Sequence, residues 1–541
     1  MEHRRFLARL AVSGLSLVLI HGSASSDEFV SPGRDRGELA QLRVPKSPGS
    51  GENIPLPRSL LSGIRMFREA IKTPTFNADT CASFLGEIYT NLFRASPSNF
   101  DLPEIRKHAE TIVHEIFRTK IDVRRQLARM ESSGSVPVSC VNAMRDTMRA
   151  SLFMSEYITE HFIPFTAQDR VFSGAAPSLL VNPDFGARLA LESGDVLISR
   201  GDAFVSGAIA RLGDTDGNFS HVALVYTDPR TKEIFTVEAH IEIGAVVAPV
   251  EKYLTDGKSR SVVLRQKDPK LAAEAARIMF ERVRKASASG KNVPYDFAML
   301  MDGKDKAGRS ADAALFCSEV ASVGYALASG GSFQIPKYRT VLRMTNDTFL
   351  KAIGVEAKES FAPSDMETES RFEIVAEWRN LRKTQRSRMT DAVITQIYAV
   401  MDEKGYALRN PPGVAVKRDI AYAVRHLPLF SSLLGERFPA NMPRSTLGTM
   451  FALNSTAEAM FTQLEQANTE KASQTGFAMT SAEMQTFLRA LIDRDHQTYL
   501  KHRAWRRGRG TEPISPSESG IGMRPEPPRA LFHDSFRPAE K

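Results

Sequence analysis

Three residues far apart in the chain, His221, Glu238 and Cys317, are of the types that thiol hydrolysis requires. A cysteine attacks as its thiolate, so it needs an electropositive setting and a base, and a helix N-terminus beside a histidine supplies both. Cys317 follows the apolar stretch Ala313-Ala314-Leu315-Phe316 and opens Cys317-Ser318-Glu319-Val320, whose continuation through Val323 to Leu327 suits a buried helix. Glu319 falls in the first turn, where the helix dipole favours an acid. Alone, Cys317 fits better as a small buried apolar residue, the commonest fate of a lone free cysteine. The histidine changes that balance.

His221 heads the run His221-Val222-Ala223-Leu224-Val225-Tyr226, after a loop from Gly213 to Asn218. Its β-branched, apolar character predicts a strand. A turn at Asp228-Pro229-Arg230-Thr231 separates it from a second strand, Glu233 to Glu238. Proline at the second turn position suits a type I turn, on which four-residue hairpin loops are commonly built. If Thr227 faces Lys232, the same register sets His221 directly opposite Glu238. Cross-strand partners have Cβ atoms about 4.5 to 5.5 Å apart, close enough for a carboxylate to hold one ring nitrogen while the other faces the thiol. A slip of one residue would send the two side chains to opposite faces. A structural histidine and a solvated glutamate remain the competing readings, and His240 stands as an alternative third member or a bystander. Ser206 and Ser220 are candidates for the groove wall, although turn or surface roles suit both. Asp296 fits a role in fixing the loop before the cysteine helix. No cofactor is expected and no metal site emerges, because the histidines lack ligand spacing such as His-Glu-x-x-His and the cysteines are scattered.

At these residues the sequence resembles the YiiX-like, circularly permuted branch of the NlpC papain-like superfamily. The likeness is carried by Gly194-Asp195-Val196-Leu197, Phe219-Ser220-His221-Val222-Ala223-Leu224-Val225, Val237-Glu238-Ala239, Tyr295-Asp296-Phe297 and Phe316-Cys317-Ser318-Glu319-Val320. In that branch, as here, the histidine strand precedes the cysteine helix. The resemblance implies a papain-like α+β fold in which Cys317 attacks a carbonyl, His221 shuttles the proton and Glu238 orients the imidazole. It covers about residues 180–345, and the helical flanks lie outside it.

The elements that must position these residues follow from local pattern. Residues 1–24 read as a signal peptide, with Arg4 and Arg5 before an apolar stretch and Gly22-Ser23-Ala24 at the cleavage positions. Residues 25–58, rich in proline, glycine and charge, read as a linker. Helical spacing in Leu60, Ile64, Phe67 and Ile71, and again in Phe84, Ile88 and Leu92, predicts a helical domain over 59–165. Short β-rich runs and then helices from Pro269 and from near Cys317 predict an α+β domain with an antiparallel sheet over 180–345. Segments such as Ile374 to Arg382, Met389 to Met401 and Ala482 to Tyr499 suggest a second helical domain over 365–505, and residues 507–541 a disordered tail.

Only three cysteines occur in 541 residues, too few for a disulfide scaffold. Cys81 and Cys140 pair or stay separate thiols; pairing leaves Cys317 as the odd one. The formal net charge of +8, from 71 basic and 63 acidic residues, favours anionic envelope surfaces weakly. No recognition motif accompanies it, so nucleic acid is not an expected partner. The expectation is therefore an exported thiol amidase or peptidase acting on peptidoglycan stem peptides or another acylated amine in the periplasm or outside the cell. A lipid acyl hydrolase or acyltransferase with a lipid-linked substrate, and a non-catalytic envelope scaffold, are the alternatives.

Overall fold

The computed structural model describes residues 43–88, 99–164, 168–241, 243–301, 314–343, 347–409, 444–508 and 526–538. The expected signal peptide and the first part of the expected linker lie outside them. The rest of that linker is not featureless, since Arg43–Pro45 pairs with Asn53–Pro55 in a short antiparallel ribbon.

Four helices come next: α1 (Leu60–Lys72), α2 (Cys81–Ile88), α3 (Leu102–Ser133) and α4 (Val138–Phe162). Their starts have local causes. Ser59 Oγ accepts from the Ser62 amide, and the Asp101 carboxylate accepts from that of Glu104, with Pro103 in the first turn. The apolar stripes of α1 and α2 are buried, as their spacing predicts. Cys81 and Cys140 form a disulfide tying α2 to α4, with 5.3 Å between Cα atoms, and Cys317 remains a free, buried thiol.

The centre is a sheet of seven strands: β1 (Leu179–Val181), β2 (Val196–Gly201), β3 (His221–Thr227), β4 (Ile234–His240), β5 (Gly244–Pro249), β6 (Lys258–Gln266) and β7 (Phe372–Arg379). Their spatial order is β1-β7-β6-β2-β3-β4-β5, and every neighbouring pair is antiparallel. Short helices α5 (Phe204–Ala210) and α6 (Val250–Thr255) interrupt the strands, and α7 (Pro269–Ala288) and α8 (Glu319–Ala328) cover one face. Alternate residues of a strand point to opposite faces. Val196, Ile198, Val222, Leu224, Val262 and Leu264 accordingly share a core with α7, α8 and the N-terminal helices. Leu197, Ala223, Val225 and Val263 pack with Tyr253, Val375 and Trp378 in a second core. This is an α+β fold with an antiparallel sheet and helical flanks.

Two expectations need correction. Ile374 to Arg382 was expected to be helical, but Phe372–Arg379 is the strand β7, lying between β1 and β6. Phe372, Ile374, Val375, Ala376 and Trp378 give it a short apolar run, and over so few residues periodicity does not separate a strand from a helix. A third core joins α5 to α9 (Asp347–Ile353), α10 (Thr384–Lys404), α11 (Arg444–Thr475) and α12 (Ser481–Gly508). The expected tail also departs from disorder over 526–538. Strand β8 (Tyr406–Leu408) pairs with β9 (Phe536–Pro538), Phe532 and Phe536 are buried, and His533 Nδ1 lies 2.7 Å from Asp495 Oδ2. Polar, proline-rich composition concealed these few anchoring side chains. Among the described residues no helix is long and apolar enough to cross a membrane.

Candidate active site

The hairpin β3–β4 fixes the histidine and the glutamate. The Asp228 carboxylate accepts from the amides of Arg230 and Thr231, Lys232 closes the loop in the left-handed region at φ 64°, and the Asp228 amide donates to the Glu233 carbonyl at 2.9 Å. Asp228 and Glu233 therefore pair one step beyond the strand ends, and the loop runs over 229–232. The expected register is corrected: Thr227 faces Ile234, and Glu238 faces Ala223, not His221. The displacement is two positions, so the side chains stay on one face and the diagonal neighbour remains within reach. His221 Nε2 donates to Glu238 Oε2 at 2.7 Å, and Thr236 Oγ1 donates to Glu238 Oε1 at 2.7 Å. Thr236 was not singled out from the sequence, although a threonine two residues before the acid on one strand necessarily shares its face.

Cys317 stands two residues before α8. Its turn is closed reciprocally, the Glu319 amide donating to the Phe316 carbonyl and the Phe316 amide to Glu319 Oε2, both at 3.0 Å. Gly324 lets α8 lie close to α7: a Cβ there would meet Met279 Cγ at 2.8 Å and the Ala275 carbonyl oxygen at 3.1 Å. This packing brings Cys317, 5% exposed, to the head of β3, where its Sγ lies 4.0 Å from the Ser220 carbonyl oxygen and hydrogen-bonds the His221 ring. Because Glu238 occupies Nε2, Nδ1 is the nitrogen left for the thiol.

The electrostatics separate two neighbouring imidazoles. Burial works against a charged His221, but its hydrogen bonds to Cys317 and Glu238 outweigh this and push it up to about 9. Burial likewise opposes ionisation of Glu238, yet the bond and the attraction of His221 hold it down at about 2. His240 is pushed down to about 4 by burial and by the charge of His221. Its ring stacks on that of His221 with centroids 5.1 Å apart, and its Nε2 is 3.6 Å from Glu238 Oε2. Glu238 is thus the tighter partner of His221, and His240 is a close neighbour of both.

The sequence carries no linear metal-ligand spacing, but the hairpin gathers three possible donors. The donor atoms of His221, Glu238 and His240 all lie within 4.8 Å of one another. They come from two paired strands, and no linear spacing motif records cross-strand neighbours.

The flanks reach the site through the segment before β7. Ser364 Oγ accepts from the amides of Asn218 and Phe219 at 2.8 and 2.9 Å, and Asn218 Nδ2 donates to Glu367 at 3.2 Å. Arg124 of α3 holds that segment in turn, donating to the carbonyls of Met366, Glu367, Glu369 and Phe372, each at 2.6 Å. Asp296 accepts from the amides of Ala298 and Leu300, fixing its loop as expected. Ser220 meets Cys317 through its carbonyl, while Ser206 lies on α5 against Gly201.

A thiol, an imidazole and a carboxylate joined in this order on an α+β fold define the class of papain-like thiol hydrolases. Residues 190–376 match the family of permuted papain-like amidase enzymes, YaeF/YiiX, C92 family. That segment is about a third of the chain, and the family it matches is one of papain-like cysteine amidases. Among solved structures, metalloprotein yiiX from Escherichia coli O157:H7 is 17% identical, with 34% of this chain and 96% of that chain covered at a TM-score of 0.25, too low to carry an argument. No curated protein matches.

Proposed function

We propose that the protein is an exported cysteine amidase of the cell envelope, with Cys317 as nucleophile, His221 as base and Glu238 as orienting acid. The observation that carries this reading is the His221 ring, held by Glu238 at 2.7 Å and hydrogen-bonded to Cys317. Sulfur attacks the carbonyl carbon, His221 passes its proton to the departing amine, and the carbon–nitrogen bond breaks to leave a thioester. Water, deprotonated by the same imidazole, then releases the acid and frees the thiol. The Cys317 amide, next to the N-terminus of α8, is the candidate donor to the oxyanion. Export rests on the N-terminal residues, and a peptidoglycan stem peptide or other acylated amine is the substrate class that an exported amidase would meet.

The test compares intact protein with Cys317→Ala and His221→Ala on wall fragments and lipid extracts, alongside labelling by iodoacetamide at neutral pH. Release of free acid with water alone, abolished in both variants, is expected. Turnover only with an added amine or alcohol acceptor would make it an acyltransferase, and an unaltered biological effect of Cys317→Ala would make it a scaffold.

A further inference from the structure

His240 has no task in the proposed relay, which uses one imidazole and one carboxylate. It nonetheless stands on the strand paired with that of His221, stacked on its ring and opening to solvent. The side chains of His221, His240 and Glu238 are 20%, 29% and 5% exposed, so the two imidazoles are nearer solvent than the carboxylate. Nε2 of each histidine lies near the same oxygen, at 2.7 and 3.6 Å from Glu238 Oε2. The other carboxylate oxygen is occupied by Thr236, which fixes the group as an outer-shell partner would. Zinc bonded at about 2.0 to 2.2 Å to two nitrogens and an oxygen spaces those atoms roughly 3.4 Å apart, within the range found here.

The geometry points to a divalent-metal site at His221, Glu238 and His240 that switches the thiol centre off reversibly. Two imidazoles and one carboxylate suit zinc and its neighbours in the transition series better than calcium or magnesium, which prefer oxygen ligands throughout. Three protein ligands leave an open fourth position for water. Lys258 is the nearby opposing charge; it is tied to Asp256 at 2.7 Å and lies over the Tyr253 ring. The inhibition rests on the reading of His221 as the base. With the metal on Nε2, the ring nitrogen facing Cys317 has to keep its own proton to stay a neutral ligand, and it then has no lone pair for the thiol. Glu238 is drawn to the metal at the same time.

The experiment uses the full chain, stripped with a chelator and titrated with zinc chloride by equilibrium dialysis, with cobalt(II) absorption reporting coordination. One ion per chain is expected for the wild type and for Cys317→Ala, with affinity at least ~100-fold lower in His240→Ala and His240→Gln. Zinc should block iodoacetamide labelling of Cys317 in the wild type and not in the His240 variants, and a chelator should restore it. Should a His240 variant fail to fold, the cobalt spectrum of the wild type decides, because a tetrahedral site absorbs intensely and a surface-bound aquo ion does not. Less than one ion per chain, undiminished binding in a folded His240 variant, or activation by zinc would overturn the proposal. Hydrolysis by Cys317→Ala would sink the thiol mechanism while leaving the binding result standing, so the two failures are distinguishable.

Discussion

Glu238 lies opposite Ala223 in the β3–β4 ladder, yet its Oε2 holds His221 Nε2 at 2.7 Å from two positions along the neighbouring strand. The diagonal leaves the place beside His221 to His240, so one hairpin presents an acid between two imidazoles. Glu238→Gln keeps the shape but removes the charge that favours imidazolium. Iodoacetamide labelling and amide hydrolysis should both fall, the latter by about 100-fold or more. A variant reacting at the wild-type rate would remove Glu238 from the mechanism.

The two histidines give opposite pH dependences in the metal-free protein. His221 is raised to about 9, so its contribution to stability is complete below about 6.5 and is lost as pH climbs through 9. His240 is lowered to about 4, so the folded state resists its protonation, and stability declines as pH falls from about 6.5 to 4. Glu238, held at about 2, adds stability above about 4.5 that disappears as pH falls through 2. Urea unfolding across pH should therefore show His240→Gln losing less stability than the wild type between pH 6.5 and 4. His221→Gln should lose less between 6.5 and 9. Parallel profiles would contradict these assignments.

Much of this site is legible in the sequence because each component is local: a cysteine before a helical run, and a histidine and an acid on two strands joined by a short turn. The exact register is not, because it depends on whether Lys232 adopts a left-handed backbone, which lysine permits but does not announce. The same-face relationship survives because the strand period is two. The strand Phe372–Arg379 is missed because a few apolar residues carry no decisive period, and its place in the sheet is set by partners more than a hundred residues away. The anchoring of His533 on Asp495 is hidden because it rests on one polar pair in a segment whose proline-rich composition shows no period.

The disulfide Cys81–Cys140 spans 59 residues, and closing a loop of that length restricts the unfolded chain by about 4 kcal/mol. Cys81→Ser with Cys140→Ser, or reduction, should lower stability by up to that amount. The labelling rate of Cys317 should hardly change, because the bridge joins two N-terminal helices while the thiol's partners Ser220 and His221 belong to the sheet and the loop before it. Denaturant titration with and without reductant, beside labelling kinetics, tests both halves. Lost thiol reactivity at unchanged stability would contradict this separation.

Ser364 offers a sharper test of what the flanks do for the site. Its hydroxyl oxygen accepts from two successive buried amides, Asn218 and Phe219, directly before the strand that begins at His221. Ser364→Ala leaves both donors without that acceptor, at a cost of about 1 to 3 kcal/mol for each that finds no other partner. If the segment held by Arg124 positions the histidine, this substitution should lower kcat more than KM rises and slow thiol labelling. Ser364→Thr, which keeps the oxygen, should restore both. The Cys81→Ser, Cys140→Ser protein is the control, comparably destabilised but remote, and it should keep the wild-type labelling rate. Equal rates in Ser364→Ala and that control would reduce the contact to a purely structural one, and the helical flanks would then have no demonstrated hold on the catalytic base.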